Sequence, residues 1–314
     1  MIPRRDGRPI GVGIQLPEVE RVVRWPELRA MARLAEEAGF DSLWLGDHLL
    51  YRYPSGETRG PWEAWTTLAG LAEATERVAL GPLVAATAFH APFMLAKLAS
   101  TVDEISGGRL VLGLGAGWND TEFAALDAPF DHRVSRFEEA FTIVRTLLRE
   151  GEIDFAGRWF SARDAVLRPT PARPGGPPLL IGSNGERMLA ATLPHVQAWN
   201  SWYTDTGNRP GGVATLRDRV DAAARAVGRD PADIERTVAI LVRLPGGTGR
   251  LTGDAGLRPA VQPLGGPSDV MAAELQAYAR EGISHVQLVV DPITEASIEA
   301  LVPMLEALDG GATP

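Results

Sequence analysis

Short continuous apolar runs alternate along this chain with longer stretches whose apolar residues fall three and four apart, so strands and helices take turns. Residues 11–16 read as a strand, and residues 25–38 place Leu28, Met31, Ala32, Leu34 and Ala35 on one helical face ahead of Gly39, which suits the position just past a helix end. Residues 41–46, 77–85 and 109–114 read as the next three strands. Helices fall between them at 61–75, with Pro61 in its first turn, and at 91–105. A fourth helix, 134–149, lines up Phe137, Phe141, Val144 and Leu148. An alternating, then proline-rich stretch at about 151–177 reads as an inserted hairpin and loop. The series resumes with strands at 179–181, 196–199, 237–243 and 285–290 and helices at 186–193, 213–227, 268–280 and 295–308, interrupted by a glycine- and proline-rich insertion at about 245–267.

Eight strand–helix units predict an α/β fold of one domain, residues 1–314: a (β/α)8 TIM barrel with insertions after helix 4 and strand 7. A doubly wound open sheet is the alternative. In a barrel the functional residues sit just past each strand, which selects Gln15, Asp47 and His48, residues 87–90, 115–120, 183–187 and 200–202, and the loop after Arg243.

Composition narrows the chemistry. A hydrophobic fraction of 45% with 23% charged residues is that of a globular protein, and the absence of cysteine excludes disulfides, thiolate metal sites and a thiol nucleophile. The five histidines, His48, His90, His132, His195 and His285, are scattered, which argues against a metal centre. A net charge of -9 argues against nucleic acid or an anionic membrane as partner. The first residues lack the apolar core of a signal peptide and no run reaches the ~18 apolar residues of a membrane helix, so a cytoplasmic protein is expected.

The positions past the strands hold glycines, aromatics and amides, with no serine in a G-x-S-x-G elbow and no obvious carboxylate pair. This set suits a large flat ligand. GLGAGW, 113–118, is a poor dinucleotide loop, because Trp118 occupies the third glycine position of G-x-G-x-x-G. Asp47-His48 is a candidate acid–base dyad, or a turn cap beside a packed ring. His90 reads as a ligand contact or as the start of a helix. Ser183, Asn184 and Gly185 read as a phosphate-receptive turn or an ordinary cap, and the cations of HRVSR, 132–136, as an anion-attracting group or, the safer reading, a solvated first turn.

Five segments carry a family resemblance: AEEAGFDSLWLGDHL (35–49), LAEATERVALGPLV (71–84), AKLASTVDEISGGRLVLGLGAGW (96–118), RFEEAFTIVRTLL (136–148) and PPLLIGSNGERM (177–188). Together they resemble the luciferase-like monooxygenase superfamily, nearest to its coenzyme F420-dependent oxidoreductases. The resemblance implies hydride transfer between F420, a deazaflavin, and a small organic substrate. The alternatives are an FMN-dependent monooxygenase using O2 and a flavin reductase partner, or a non-catalytic flavin-binding barrel. A homodimer is also implied.

Carried over by position, the resemblance implies catalytic roles for His48 and Asp47. It implies cofactor binding by Asp47, His48, Leu83, Val84, Ala85, Gly115, Ala116, Gly117, Trp118, Gly182, Ser183, Asn184 and Gly185, with a non-prolyl cis bond at Leu83-Val84. The substrate pocket is expected at Gln15, His90, Trp118 and Trp202. The carboxylate that some relatives place after strand four is not matched at Gly117 or Trp118; Asp120 and Glu122 are the nearest replacements.

Overall fold

The computed structural model describes residues 2–249 and 261–310. The ends of the domain expected over 1–314 and residues 250–260 of the insertion expected at 245–267 lie outside them. The elements run β1 (Gly11–Gln15), α1 (Trp25–Glu37), β2 (Ser42–Leu45), a small hairpin of β3 (Tyr51–Arg52) and β4 (Thr58–Arg59), and α2 (Ala64–Ala74). Next come β5 (Ala79–Pro82), β6 (Ala85–Ala86), α3 (Pro92–Ile105), β7 (Leu112–Gly115), α4 (Asp120–Ala125) and α5 (Arg133–Glu150). The inserted hairpin is β8 (Glu152–Ala156) and β9 (Ser161–Val166), followed by β10 (Leu179–Ile181), α6 (Glu186–Thr192), β11 (Ala198–Ser201), α7 (Tyr203–Thr206) and α8 (Val213–Ala226). The chain closes with β12 (Glu235–Arg243), α9 (Ser268–Arg280), β13 (His285–Asp291) and α10 (Glu295–Gly310).

Nine strand segments pair in parallel in the order β5-β2-β1-β13-β12-β11-β10-β7-β6. The two ends are halves of one strand: β6 pairs with β7, and β5 pairs with the same neighbour through Leu80 and Leu110. The sheet therefore closes on itself as an eight-stranded barrel, as the alternation of elements predicts, and the open-sheet alternative falls. Ile14, Leu43, Leu80, Leu112, Ile181, Ile240 and Leu288 are fully buried between strands and helices.

Four details differ from expectation. The stretch 77–85 is not one strand, because the cis Leu83-Val84 peptide interrupts it between β5 and β6. The second helix begins at Ala64 rather than Pro61, since Glu63 caps it by accepting from the Trp65 and Thr66 amides. The sixth strand is displaced to Ala198–Ser201, which brings Asn200 and Ser201 into the barrel wall. The short elements β3, β4, α4 and α7 have no periodicity long enough to announce them.

The lower barrel interior is polar. His285 Nε2 lies 2.7 Å from Ser42 Oγ, which also accepts from Trp44 Nε1 at 2.7 Å. Gly11 and Gly13 leave the room for these side chains, since a Cβ at either would collide with His285 or Ser42. Burial, reinforced by Arg8 and Arg4, pushes the His285 pKa down to about 3. The unfolded chain therefore binds the extra proton from pH 6.5 downward while the folded chain resists it. Stability should be full above pH 6.5 and fall by about 1.4 kcal/mol per pH unit below it, roughly 2 kcal/mol between pH 7 and pH 5 from this residue. Urea unfolding across that range checks this: His285→Gln should show a shallower pH slope than the parent, and an equal slope refutes the assignment.

Candidate active site

Strand ends and the loops beyond them enclose a cavity of about 560 Å³. One wall is glycine backbone. Val84 sits against Gly113, Gly115 and Gly182, where an added Cβ would lie 2.9, 2.8 and 3.0 Å from its methyl groups. The absence of side chains at these three positions is what gives the Val84 side chain its seat. Leu83, Val84 and the run from Gly115 to Trp118 line the cavity from this side, and Gly182 to Gly185 from the next strand end.

The neighbouring wall, past the end of β2, is ionisable. His48 Nδ1 lies 2.9 Å from Glu122 Oε2, and the other oxygen of that fully buried carboxylate accepts from the amides of Leu49 at 2.5 Å and Leu50 at 3.3 Å. Glu122 thus fixes both the ring and the backbone that carries it, leaving Nε2 for the cavity. Burial works against a charged ring here, but the Glu122 hydrogen bond and the carboxylates of Glu18, Glu122 and Asp47 outweigh it and raise the His48 pKa. Tyr51 and Trp118 flank the imidazole, with ring centroids 4.8 and 5.5 Å away, and Trp118 remains 40% exposed at the mouth.

Asp47 and His48 are therefore not a dyad. The Asp47 carboxylate turns away to the Ala86 amide at 2.9 Å and His90 Nε2 at 2.8 Å, whereas His48 is held by Glu122. Two expected positions change accordingly. His90, expected in the substrate pocket, stands behind Asp47 and edge-on to Trp65, not among the cavity-lining residues. Ala85, expected at the cofactor, is fully buried in the core, and Ala86 faces the cavity in its place. Gln15, Trp118 and Trp202 do line it. Of the two candidate replacement carboxylates, Asp120 is exposed and Glu122 is buried against His48.

Glu18, Tyr51, Phe89, Arg133, Met188 and Asn200 also line the cavity. Of these, Asn200 and Phe89 fall in stretches that the barrel rule selects, Arg133 belongs to the HRVSR cations and Met188 ends a segment of the family resemblance, whereas Glu18 and Tyr51 carry no sequence signal.

Residues 10–244 match the family model of the luciferase-like monooxygenases. The chain belongs to that family. It is 30% identical over 225 residues to the F420-dependent hydroxymycolic acid dehydrogenase of Mycobacterium tuberculosis, covering 70% of this chain and 59% of that one. It is 31% identical over 173 residues to a pyrimidine monooxygenase of Cronobacter sakazakii, covering 54% of this chain and 50% of the other. The chain thus spans about half the length of the curated relatives it matches. Among solved structures, an F420-dependent secondary alcohol dehydrogenase in complex with an F420-acetone adduct superposes with a TM-score of 0.78, covering 95% of this chain and 99% of its own at 18% identity. That likeness extends the barrel fold over nearly the whole chain. Among the described residues, no helix is long and apolar enough to cross a membrane.

Proposed function

We propose that this chain is an F420-dependent oxidoreductase that transfers hydride between the deazaflavin and a small organic substrate. The observation that carries the reading is His48, held at Nδ1 by a buried carboxylate and flanked by aromatic rings in a cavity whose adjoining wall is glycine-rich. The donor set suits a flat, hydroxyl-bearing cofactor. Glycines at 115 and 182 let Val84 sit against the backbone at the cavity wall, and Asn184 Oδ1 is a buried acceptor with no protein partner.

When bound, F420 supplies the hydride chemistry. In this reading Val84 and Leu83 back the ring, Gly115 to Trp118 border it, and Gly182, Ser183, Asn184 and Gly185 hold its tail. Asp47 fixes the Ala86 backbone, His48 holds a proton at Nε2 for the substrate, and Trp118 and Trp202 exclude water from the substrate side. Trp62, ahead of α2, and Phe93 and Met94, at the start of the adjoining α3, are exposed apolar side chains that support a homodimer.

A second reading, an FMN-dependent monooxygenase served by a reductase, has the similarity to the pyrimidine monooxygenase in its favour. Titration of the purified protein with each cofactor, followed by fluorescence and absorbance, separates the two. F420 should bind at least about 10-fold tighter than FMN, a difference of about 1.4 kcal/mol. Tight FMN binding with no F420 affinity refutes the first reading.

A further inference from the structure

The end of the cavity where β1 and β2 run out is built from acceptors. Gln15, only 2% exposed, lines it, and its Nε2 donates to Glu18 Oε2 at 3.1 Å. A carboxylate can only accept, so this bond fixes which end of the amide is which. Gln15 Oε1 is thereby left as a buried acceptor with no protein partner. The Tyr51 hydroxyl holds the other Glu18 oxygen at 2.6 Å. Gly46 makes the space for this carboxylate, since a Cβ there would lie 2.6 Å from Glu18 Oε1.

Two nearby donors, Asn200 and Arg133, already bond to the protein, and His48 Nε2 is kept for the reacting group. Asn200 spends both amide hydrogens, on Thr237 Oγ1 and Gln287 Oε1, each at 2.8 Å. Arg133, the cation in the cavity wall, donates to the Gly117 carbonyl at 3.0 Å and lies 4.1 Å from the Phe130 ring centroid. The charge that a proton brings to His48 is met by Glu122. A buried acceptor with no protein partner is costly to keep dry and is satisfied by a donor in the cavity, a water or the ligand group that displaces it.

We propose that Gln15 and Glu18 form a substrate subsite that accepts a hydrogen-bond donor, a neutral hydroxyl or a protonated amine, and rejects carboxylates and phosphates. This subsite rests on reading the cavity as the active site of an oxidoreductase. A donor group satisfies Gln15 Oε1 and lies beside Glu18, while the apolar remainder of the molecule packs on Tyr51 and Trp118. An anion would meet an acceptor and a like charge.

Benzyl alcohol, benzylamine and benzoate share one skeleton and differ in this group alone, so they test the subsite. Their affinities are measured by saturation-transfer NMR in the presence of F420, whose own binding is followed separately by fluorescence. The alcohol and the amine should bind at least about 10-fold tighter than benzoate, and Glu18→Gln should shrink that preference below about threefold. Benzoate binding as tightly as the alcohol, none of the three binding, or an unchanged preference in folded Glu18→Gln overturns the proposal. If the variant does not fold, the ranking on the parent protein decides. A protein that keeps the ranking but binds neither F420 nor FMN supports the subsite and overturns the cofactor reading alone.

Discussion

Glu122→Gln is expected to lower kcat by about 10- to 100-fold and to move the limb of the pH–rate profile that reports His48 deprotonation toward lower pH. The carboxylate now accepts from the ring at Nδ1, so a neutral His48 keeps its hydrogen there and presents Nε2 bare. A glutamine whose oxygen stays on the Leu49 amide turns its NH2 group toward Nδ1 and forces the opposite tautomer. The sign of the pH effect follows from the charge. Glu122 helps to raise the His48 pKa, so removing its charge lowers that pKa, and the protonated ring is lost at a lower pH. Steady-state kinetics across the neutral range, with the histidine titrated by NMR, provides the check. A Glu122 that merely braces α4 would leave both the profile and the titration in place. Glu122→Ala is a harsher change, because it strands the Leu49 and Leu50 amides as well, and is expected to reduce stability by about 3–5 kcal/mol.

Gly115→Ala is expected to weaken cofactor binding by at least about 10-fold, and Val84→Ala in the same chain to recover most of that loss. An added Cβ at 115 would lie 2.8 Å from a Val84 methyl, closer than side-chain carbons approach. The only other nearby atom is the Gly182 carbonyl oxygen at 3.9 Å. Val84 must then shift, and both residues line the cavity. Removing the two methyl groups of Val84 removes the collision, so the double variant distinguishes a steric cause from a requirement for glycine flexibility at position 115. Titration of the parent, the two single variants and the double variant with F420 completes the cycle. A double variant as weak as Gly115→Ala disproves the steric account.

The barrel could be read from the sequence because each strand and helix repeats its own apolar period long enough to be seen, and because the order never varies. Gln15, Asp47, His48 and Gly115 to Trp118 were readable for the same reason, as each follows a strand directly. What pairs with what was not. Adjacency suggests that Asp47 serves His48, yet the two side chains turn to separate partners, one to His90 and the other to a glutamate 74 positions later. Alternation also separates Ala85 from Ala86, and an apolar run such as PLVAA gives no hint of which alanine faces inward. Glu18 lies on a loop and Tyr51 on a two-residue strand, neither long enough to show a period. Their place in the site depends on contacts across the barrel mouth that no local pattern encodes.

The small hairpin over the mouth does more than carry Tyr51. Arg59, the residue opposite Tyr51 in its register, donates to the carbonyls of Val19 and Glu20, each at 3.1 Å, while the Tyr51 hydroxyl holds Glu18. The loops that follow the first and second strands are thus laced together at two points and behave mechanically as one flap. Divergence toward a new substrate cannot remodel either loop alone: an insertion in one unfastens the other, so the two must change length in concert.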